Sequence, residues 1–249
     1  MATALSDLER DLLTWVLPGH RPAYAPYRQA VMTWVVAARA ARGDGHIVLA
    51  PEGGPLDLEM PLPQVLAYGV LETSEGAIAV TVRERVAEQL DCDVSSLSGK
   101  ELPVRFTELR RWSYSHWNPG NPCPMCGAGV REVRWKTTAD SVVTLAICRA
   151  DRRLWVFDST RDLAKPVPVT SFYNELMKVR RVRDPEIALS PERFYSSLAS
   201  YSDAELTEAF FHYNALRPKL AGVAAAQPSQ AGGRRMLRLL RNLLGKSQS

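Results

Sequence analysis

The sequence has no apolar run long enough to cross a bilayer, and its first thirty residues lack the basic start and apolar stretch of a signal peptide. It has only four cysteines, too few for the disulfide scaffold of a secreted protein. It also lacks a glycine-rich phosphate loop, a Gly-x-Ser-x-Gly elbow and a His-Glu-x-x-His zinc helix. We therefore expect a cytoplasmic protein without these common enzyme signatures.

Sequence patterns predict an α+β fold for the first part of the chain. Ser6-Asp7-Leu8-Glu9 is a capping box, which predicts the start of a helix, and a second helix is predicted over residues 25–41. Two apolar runs joined by Thr73-Ser74-Glu75-Gly76 predict a β-hairpin. Residues 1–115 are therefore expected to form a small domain in which helices pack on an antiparallel sheet.

The rest of the chain divides into shorter parts of different composition. Three β runs, "VREVRWK", "SVVTLAICR" and "LWVFDS", predict an antiparallel meander. Ser171, Ser190 and Ser202 then stand at predicted helix starts. The parts predicted after residue 115 are a central three-stranded β unit (116–164), C-terminal helices (165–220), a flexible linker (221–233) and a tethered amphipathic tail helix (234–249).

The stretch Cys123-Pro124-Met125-Cys126-Gly127 brings two thiols close together, with a proline between them and a glycine directly after. Such a tight turn points both thiolates at one ion and lets backbone N–H groups donate to the sulfurs. The stretch resembles the knuckle of a zinc ribbon or rubredoxin-like module, and the resemblance covers roughly residues 116–160 only. It implies a structural Zn²⁺ site completed by a second knuckle, which Cys148 would begin.

The second knuckle departs from the family pattern, because the chain reads Cys148-Arg149-Ala150-Asp151 where a second Cys-x-x-Cys is expected. The carboxylate of Asp151 is the preferred fourth ligand, and His116 or a water molecule are the alternatives. An open position would permit a metal-dependent hydrolase or lyase. A relic without metal and a redox dithiol are further alternatives, but the helix that follows a redox Cys-Pro-x-Cys is missing.

Positive charge is concentrated in the middle of the chain. Residues 1–104 contain 8 Lys and Arg against 14 Asp and Glu, whereas residues 105–183 contain 15 against 7. Just before the knuckle, arginines adjoin aromatics, which predicts either a site for single-stranded nucleic acid or packing of the rings between the two β units. Packing is the preferred interpretation. The residues concerned are Arg110, Arg111, Trp112 and Tyr114.

The tail has five basic residues and no acidic one, and its apolar residues gather on one side of a helical projection. This pattern predicts a helix that docks in a partner protein's groove or lies at the surface of an anionic membrane. We therefore expect a non-catalytic zinc-binding adaptor or interaction protein, recruited through this helix. The predicted docking residues are Arg234, Arg235, Met236, Leu237, Arg238, Leu240, Arg241 and Leu244.

Overall fold

The structure, a computed structural model, describes residues 4–59, 61–85, 88–103, 105–138, 141–181 and 190–213. Five α-helices and ten strands lie within these ranges, which confirms the predicted α+β class. The helices are α1 (Asp7–Val16), α2 (Ala25–Thr33), α3 (Val169–Arg180), α4 (Pro191–Ser197) and α5 (Asp203–Tyr213). The strands are β1 (Val35–Arg39), β2 (His46–Ala50), β3 (Val65–Thr73), β4 (Gly76–Arg83), β5 (Leu90–Ser96), β6 (Glu108–Ser113), β7 (Arg131–Thr138), β8 (Ser141–Cys148), β9 (Arg153–Asp158) and β10 (Leu163–Pro166).

The first sheet contains six antiparallel strands in the order β1-β2-β5-β4-β3-β6. Strands β3 and β4 form the predicted hairpin. The capping box is also present, since the N–H of Ser6 donates to the Glu9 carboxylate at 2.8 Å and the N–H of Glu9 donates to Ser6 Oγ at 3.3 Å. The α1 and α2 helices cover one face of this sheet and share a buried apolar core with it.

The predicted second helix is wrong at its C-terminal end. It stops at Thr33 instead of residue 41, and Val35–Arg39 forms β1, which pairs with β2. The β-branched Val35 and Val36 favour a strand, and pairing with β2 provides hydrogen-bond partners for the backbone groups. The apolar run alone does not indicate that this partner strand is present. Strand β5 was not predicted, although its apolar residues alternate with aspartates.

The second sheet has four antiparallel strands in the order β10-β9-β8-β7, and not the predicted three. The three predicted runs form β7, β8 and β9. The additional strand, β10, is four residues long and ends in proline, so its sequence gives no strand signal. Helices α4 and α5 begin directly after Ser190 and Ser202 as predicted, whereas α3 begins at Val169.

The two sheets face each other, and aromatic residues fill the space between them. Val70 and Trp112 of the first sheet belong to the same buried cluster as Ala146, Cys148 and Trp155 of the second. The outer face of the second sheet packs against α3, α4 and α5. The described residues therefore form four layers in the order helix, sheet, sheet, helix. We call the region between the two sheets the seam.

Among the long-range polar contacts of the described residues, two join β10 of the second sheet to the first sheet and its helices. The buried hydroxyl of Tyr24, directly before α2, donates to the carbonyl of Ala164 in β10. The ammonium of Lys165 pairs with the carboxylate of Glu84, the residue after β4, and these side chains are 2% and 7% exposed.

Within the described ranges, no helix is long and apolar enough to cross a membrane. The predicted linker and tail helix lie outside those ranges.

Candidate metal centre

Three of the four cysteines meet at one end of the seam. The sulfurs of Cys123, Cys126 and Cys148 all lie within 4.8 Å of one another, and those of Cys126 and Cys148 are 3.5 Å apart. Two thiolates bound to one tetrahedral zinc ion would be separated by about 3.8 Å, given a zinc–sulfur bond of about 2.3 Å. The three thiols are therefore spaced to bind a single ion. The fourth cysteine, Cys92, is buried in the core of the first sheet.

The first cysteine turn is held by backbone hydrogen bonds. The N–H of Cys123 donates to the carbonyl of Ala128 at 2.9 Å, and the N–H of Gly127 donates to the carbonyl of Cys123 at 2.9 Å. Gly127 has a φ of +71°, a left-handed conformation that explains why glycine follows the second thiol. The backbone N–H groups of Met125 and Cys126 lower the pKa of the Cys123 thiol, and the N–H of Ala128 lowers the pKa of the Cys126 thiol.

The second turn reproduces part of this arrangement without a second cysteine. The N–H of Asp151 donates to Cys148 Sγ at 3.3 Å. In the first turn the N–H of Cys126, also three residues along the chain, lowers the pKa of the Cys123 thiol. Both turns therefore direct backbone dipoles at the first sulfur of the turn, which stabilises a thiolate there.

Comparison with known proteins does not identify the chain. No family model, curated protein or solved structure matches it. The three thiols and the turns that hold them are therefore the basis for interpreting this centre.

The carboxylate of Asp151 lies beside the cluster. Its Oδ2 is 3.5 Å from Cys123 Sγ, which equals the separation of about 3.5 Å expected between an oxygen and a sulfur ligand of tetrahedral zinc. The atoms that all lie within 4.8 Å of one another are nevertheless the three sulfurs, without this oxygen. The hydroxyl of Tyr114 donates to the same Oδ2. Burial, together with the Asp151 carboxylate, raises the pKa of Tyr114 far above its usual value, so the hydroxyl remains a donor.

The other predicted ligand, His116, is held by α1. Its Nε2 is 2.9 Å from the carbonyl oxygen of Trp15, and its ring stacks on the Trp15 indole with a centroid separation of 6.1 Å. Burial lowers the pKa of His116, which favours the neutral ring. A neutral imidazole donates through Nε2–H to a carbonyl. The structure therefore brings His116 to the neighbourhood of the cluster but does not include it in the group of three thiols.

The three thiols differ in acidity. Burial raises the pKa of Cys123 and Cys148, although backbone N–H groups partly oppose this. Burial acts in the same direction on Cys126, but the N–H of Ala128 and the neighbouring thiols outweigh it, so the pKa of Cys126 is lowered. Cys126 is also the exposed member of the group. It is therefore the thiol of the three that most readily loses its proton to form a thiolate.

The arginines and aromatics before the knuckle are mostly engaged within the protein. Trp112 and Tyr114 are only 5% and 1% exposed and pack in the seam, so their rings are not accessible to a stacked base. Arg111 pairs with Asp11 and Glu108, at 2.8 Å in each case. Arg110 is exposed, and it donates to the carbonyl of Pro124 in the knuckle at 2.5 Å. These contacts agree with the packing interpretation of the aromatic residues.

Sequence reasoning missed one residue that positions the centre. Arg21 is 1% exposed, and its guanidinium donates to the carbonyl of Trp117 and to Asn118 Oδ1, at 2.8 Å in both cases. It also lies over the ring of Phe157 in β9. Arg21 thereby fixes the segment that enters the knuckle from the first sheet. The contact joins residues 96 positions apart in the chain, so no local pattern announces it.

Proposed function

We propose that this protein is a non-catalytic zinc-binding adaptor in which Cys123, Cys126 and Cys148 hold a structural Zn²⁺. The observation that carries the proposal is the convergence of the three sulfurs in two turns whose backbone N–H groups point at them. Hydrogen bonds of this kind stabilise thiolates, the form in which cysteine binds zinc. The surroundings favour a structural role, because Cys123 and Cys148 belong to the aromatic cluster shared by both sheets.

The preferred fourth ligand is the carboxylate of Asp151. Its distance from Cys123 Sγ suits a shared ion, and the buried Tyr114 hydroxyl holds it on that side of the cluster. A hydrogen bond from outside the ligand shell orients a carboxylate and tunes its basicity. A tethered carboxylate supports a closed structural site over the open site that a metal-dependent hydrolase or lyase needs.

The metal content of purified protein tests the proposal directly. We expect close to one zinc per chain in wild-type protein prepared without chelators, loss of zinc in Cys148→Ser and partial loss in Asp151→Ala. Cys92→Ala is the matched control, because it removes a buried thiol that is far from the cluster, and its zinc content should equal that of the wild type. Wild-type protein without zinc, or full occupancy in Cys148→Ser, would refute the structural site.

The role of Tyr114 can be separated from that of the ligands. Tyr114→Phe keeps the ring in the seam but removes the hydroxyl that donates to Asp151. We expect this variant to retain the ion but to bind it roughly 10- to 100-fold more weakly, the usual effect of losing an outer-shell partner. The measurement is competition with a chromophoric zinc chelator. In the Asp151→Ala background the same change should have little further effect, and equal effects in both backgrounds would contradict the pairing.

The adaptor part of the proposal rests on the predicted tail. Residues 234–249 contain five basic residues, no acidic one and an apolar side, a composition suited to a partner groove or an anionic membrane. We expect co-sedimentation with phosphatidylserine-containing vesicles, but not with pure phosphatidylcholine vesicles, if the membrane is the target. Removing residues 234–249 should abolish it without changing the zinc content. A tail that binds neither vesicle type would restrict the proposal to a protein groove.

A further inference from the structure

The three thiols of the metal centre differ in their access to solvent. Cys126 is exposed, and so are its neighbours Met125 and Gly127 at the tip of the first turn. Cys123 and Cys148 are only 2% and 0% exposed, inside the cluster shared by both sheets. Cysteines that bind zinc are thiolates, and a thiolate reacts with an oxidant more readily when it is exposed. An oxidant that diffuses to this centre therefore meets the Cys126 sulfur first.

The four groups of the centre lie in two pairs. Cys126 Sγ is 3.5 Å from Cys148 Sγ, and Cys123 Sγ is 3.5 Å from the Asp151 carboxylate. A disulfide bond is about 2.0 Å long, so the Cys126 sulfur needs to approach its partner by only about 1.5 Å. The exposed tip of the turn can make this movement without displacing the packed core. The thiol of Cys123 can meanwhile donate to the carboxylate of Asp151.

Retention of zinc depends on the pair of Cys126 and Cys148, because Asp151 stands where a fourth cysteine would be expected. The sulfurs of a disulfide are no longer thiolates, the form in which cysteine binds zinc. Once this pair is oxidised, the cluster retains one thiolate and one carboxylate, whereas a structural zinc site uses four protein ligands. A single disulfide is therefore sufficient to dismantle the site.

We propose that Cys126 is an oxidation site, at which hydrogen peroxide drives formation of a Cys126–Cys148 disulfide and thereby release of the zinc. The Cys126 thiolate attacks one peroxide oxygen, the O–O bond breaks, and the other oxygen leaves as hydroxide. The Cys148 thiolate then attacks the sulfur of the resulting sulfenic acid, so that the S–S bond forms, the S–O bond breaks and a second hydroxide leaves. Each sulfur loses one electron, the peroxide gains both, and two protons from solvent convert the hydroxides to water. The inference rests on the proposed function, because it concerns the regulation of the same zinc site.

Peroxide treatment of the zinc-loaded full-length protein tests the proposal. Released zinc is followed with a chromophoric chelator, and the remaining thiols are labelled with iodoacetamide in denaturant before digestion with trypsin. Cys123 and Cys126 lie in the tryptic peptide 112–131, and Cys148 lies in the peptide 137–149. We expect these two peptides to be linked, with the label on Cys123, and the amount of zinc released to equal the amount of disulfide. A disulfide within peptide 112–131, or zinc release without a disulfide, would overturn the proposal.

Two serine variants identify the thiol that reacts first. Cys123→Ser and Cys126→Ser each leave two thiols in the cluster, and both are compared with wild-type protein after removal of metal. Cys123→Ser keeps the exposed sulfur and its partner at 3.5 Å, so peroxide should form the disulfide at close to the wild-type rate. Cys126→Ser keeps only the buried thiols, and its disulfide should form about tenfold more slowly or slower still.

Cys92→Ala is the control for the remaining thiol, because Cys92 is buried in the core of the first sheet, and this variant should release zinc at the wild-type rate. Equal rates of disulfide formation in Cys123→Ser and Cys126→Ser, with native tryptophan fluorescence in both, would overturn the assignment of Cys126.

Zinc measured before oxidation separates this inference from the proposed function. Wild-type protein that contains zinc and keeps it in peroxide overturns the oxidation site and leaves the structural metal intact. Protein that contains no zinc but forms the Cys126–Cys148 disulfide supports the oxidation site and refutes the structural metal.

Discussion

Breaking the buried ion pair between Lys165 and Glu84 should strongly lower the free energy of unfolding of this protein. The pair joins β10 of the second sheet to the end of β4 in the first, and its side chains are only 2% and 7% exposed. Lys165→Met keeps the aliphatic length of the side chain and removes the charge. It therefore leaves the Glu84 carboxylate buried without its ammonium partner.

The expected loss follows from the asymmetry of buried pairs. Removing one partner of such a pair costs about 3–5 kcal/mol, because the remaining charge stays out of water without compensation. For a domain of this size, each kcal/mol shifts the melting temperature by about 2–4 °C, so a decrease of roughly 6–20 °C is expected. Replacing both residues, as in Lys165→Met with Glu84→Leu, removes both charges and should restore stability to within about 1 kcal/mol of the wild type.

Urea unfolding followed by tryptophan fluorescence measures the free energy of unfolding of the single and the double variant at saturating zinc. The chain has six tryptophans as reporters. Lys100→Met is the control, because Lys100 is exposed and its loss should leave the unfolding midpoint within error. The double-mutant cycle gives the coupling energy of the pair. A loss below about 1 kcal/mol in Lys165→Met, with an unchanged slope, would show that the carboxylate is effectively solvated and would refute the argument.

Two further predictions concern the metal centre and the packing of Gly69 in β3 against Trp15. Zinc binding at neutral pH should release at least the protons of Cys123 and Cys148, because burial raises the pKa of both thiols and keeps them protonated until the ion displaces the protons. Affinity should therefore fall as the pH is lowered, and calorimetry in buffers of different ionisation enthalpy counts the protons; an enthalpy independent of buffer would contradict this. Gly69→Ala should destabilise the protein by about 1–3 kcal/mol, since the new Cβ would lie 2.6 Å from a ring atom of Trp15. Gly129→Ala, whose Cβ would meet no heavy atom within 4 Å, should be neutral in the urea unfolding assay described above.

Features that depend on neighbouring residues were predictable from the sequence. The capping box at Ser6 and Glu9 needs only a helical turn, and the hairpin of β3 and β4 needs only a turn sequence between two apolar runs. The first knuckle belongs to the same class, because its five residues contain both thiols, the proline and the glycine. Cys148 could be assigned to the same site because a single hairpin separates it from the knuckle.

Features that depend on distant pairing could not be predicted in this way. The residues of β1 are compatible with a helix, and they form a strand because β2 is available as a partner. Strand β10 has no local signal and exists through its register with β9. The hydroxyl of Tyr114 reaches Asp151 across 37 positions of the chain, so the orientation of the preferred fourth ligand depends on the completed seam.

The contact between Tyr24 and Ala164 has a consequence for how the chain acquires its structure during synthesis. The two residues are 140 positions apart, and a ribosome that adds about 5–20 residues per second needs roughly 7–28 seconds to connect them. The first sheet is complete once β6 has been translated, so for the last part of that interval its face toward the seam lacks the strands of the second sheet that cover it. A nascent chain of this protein should therefore expose this apolar face until the codons of β10 have been translated.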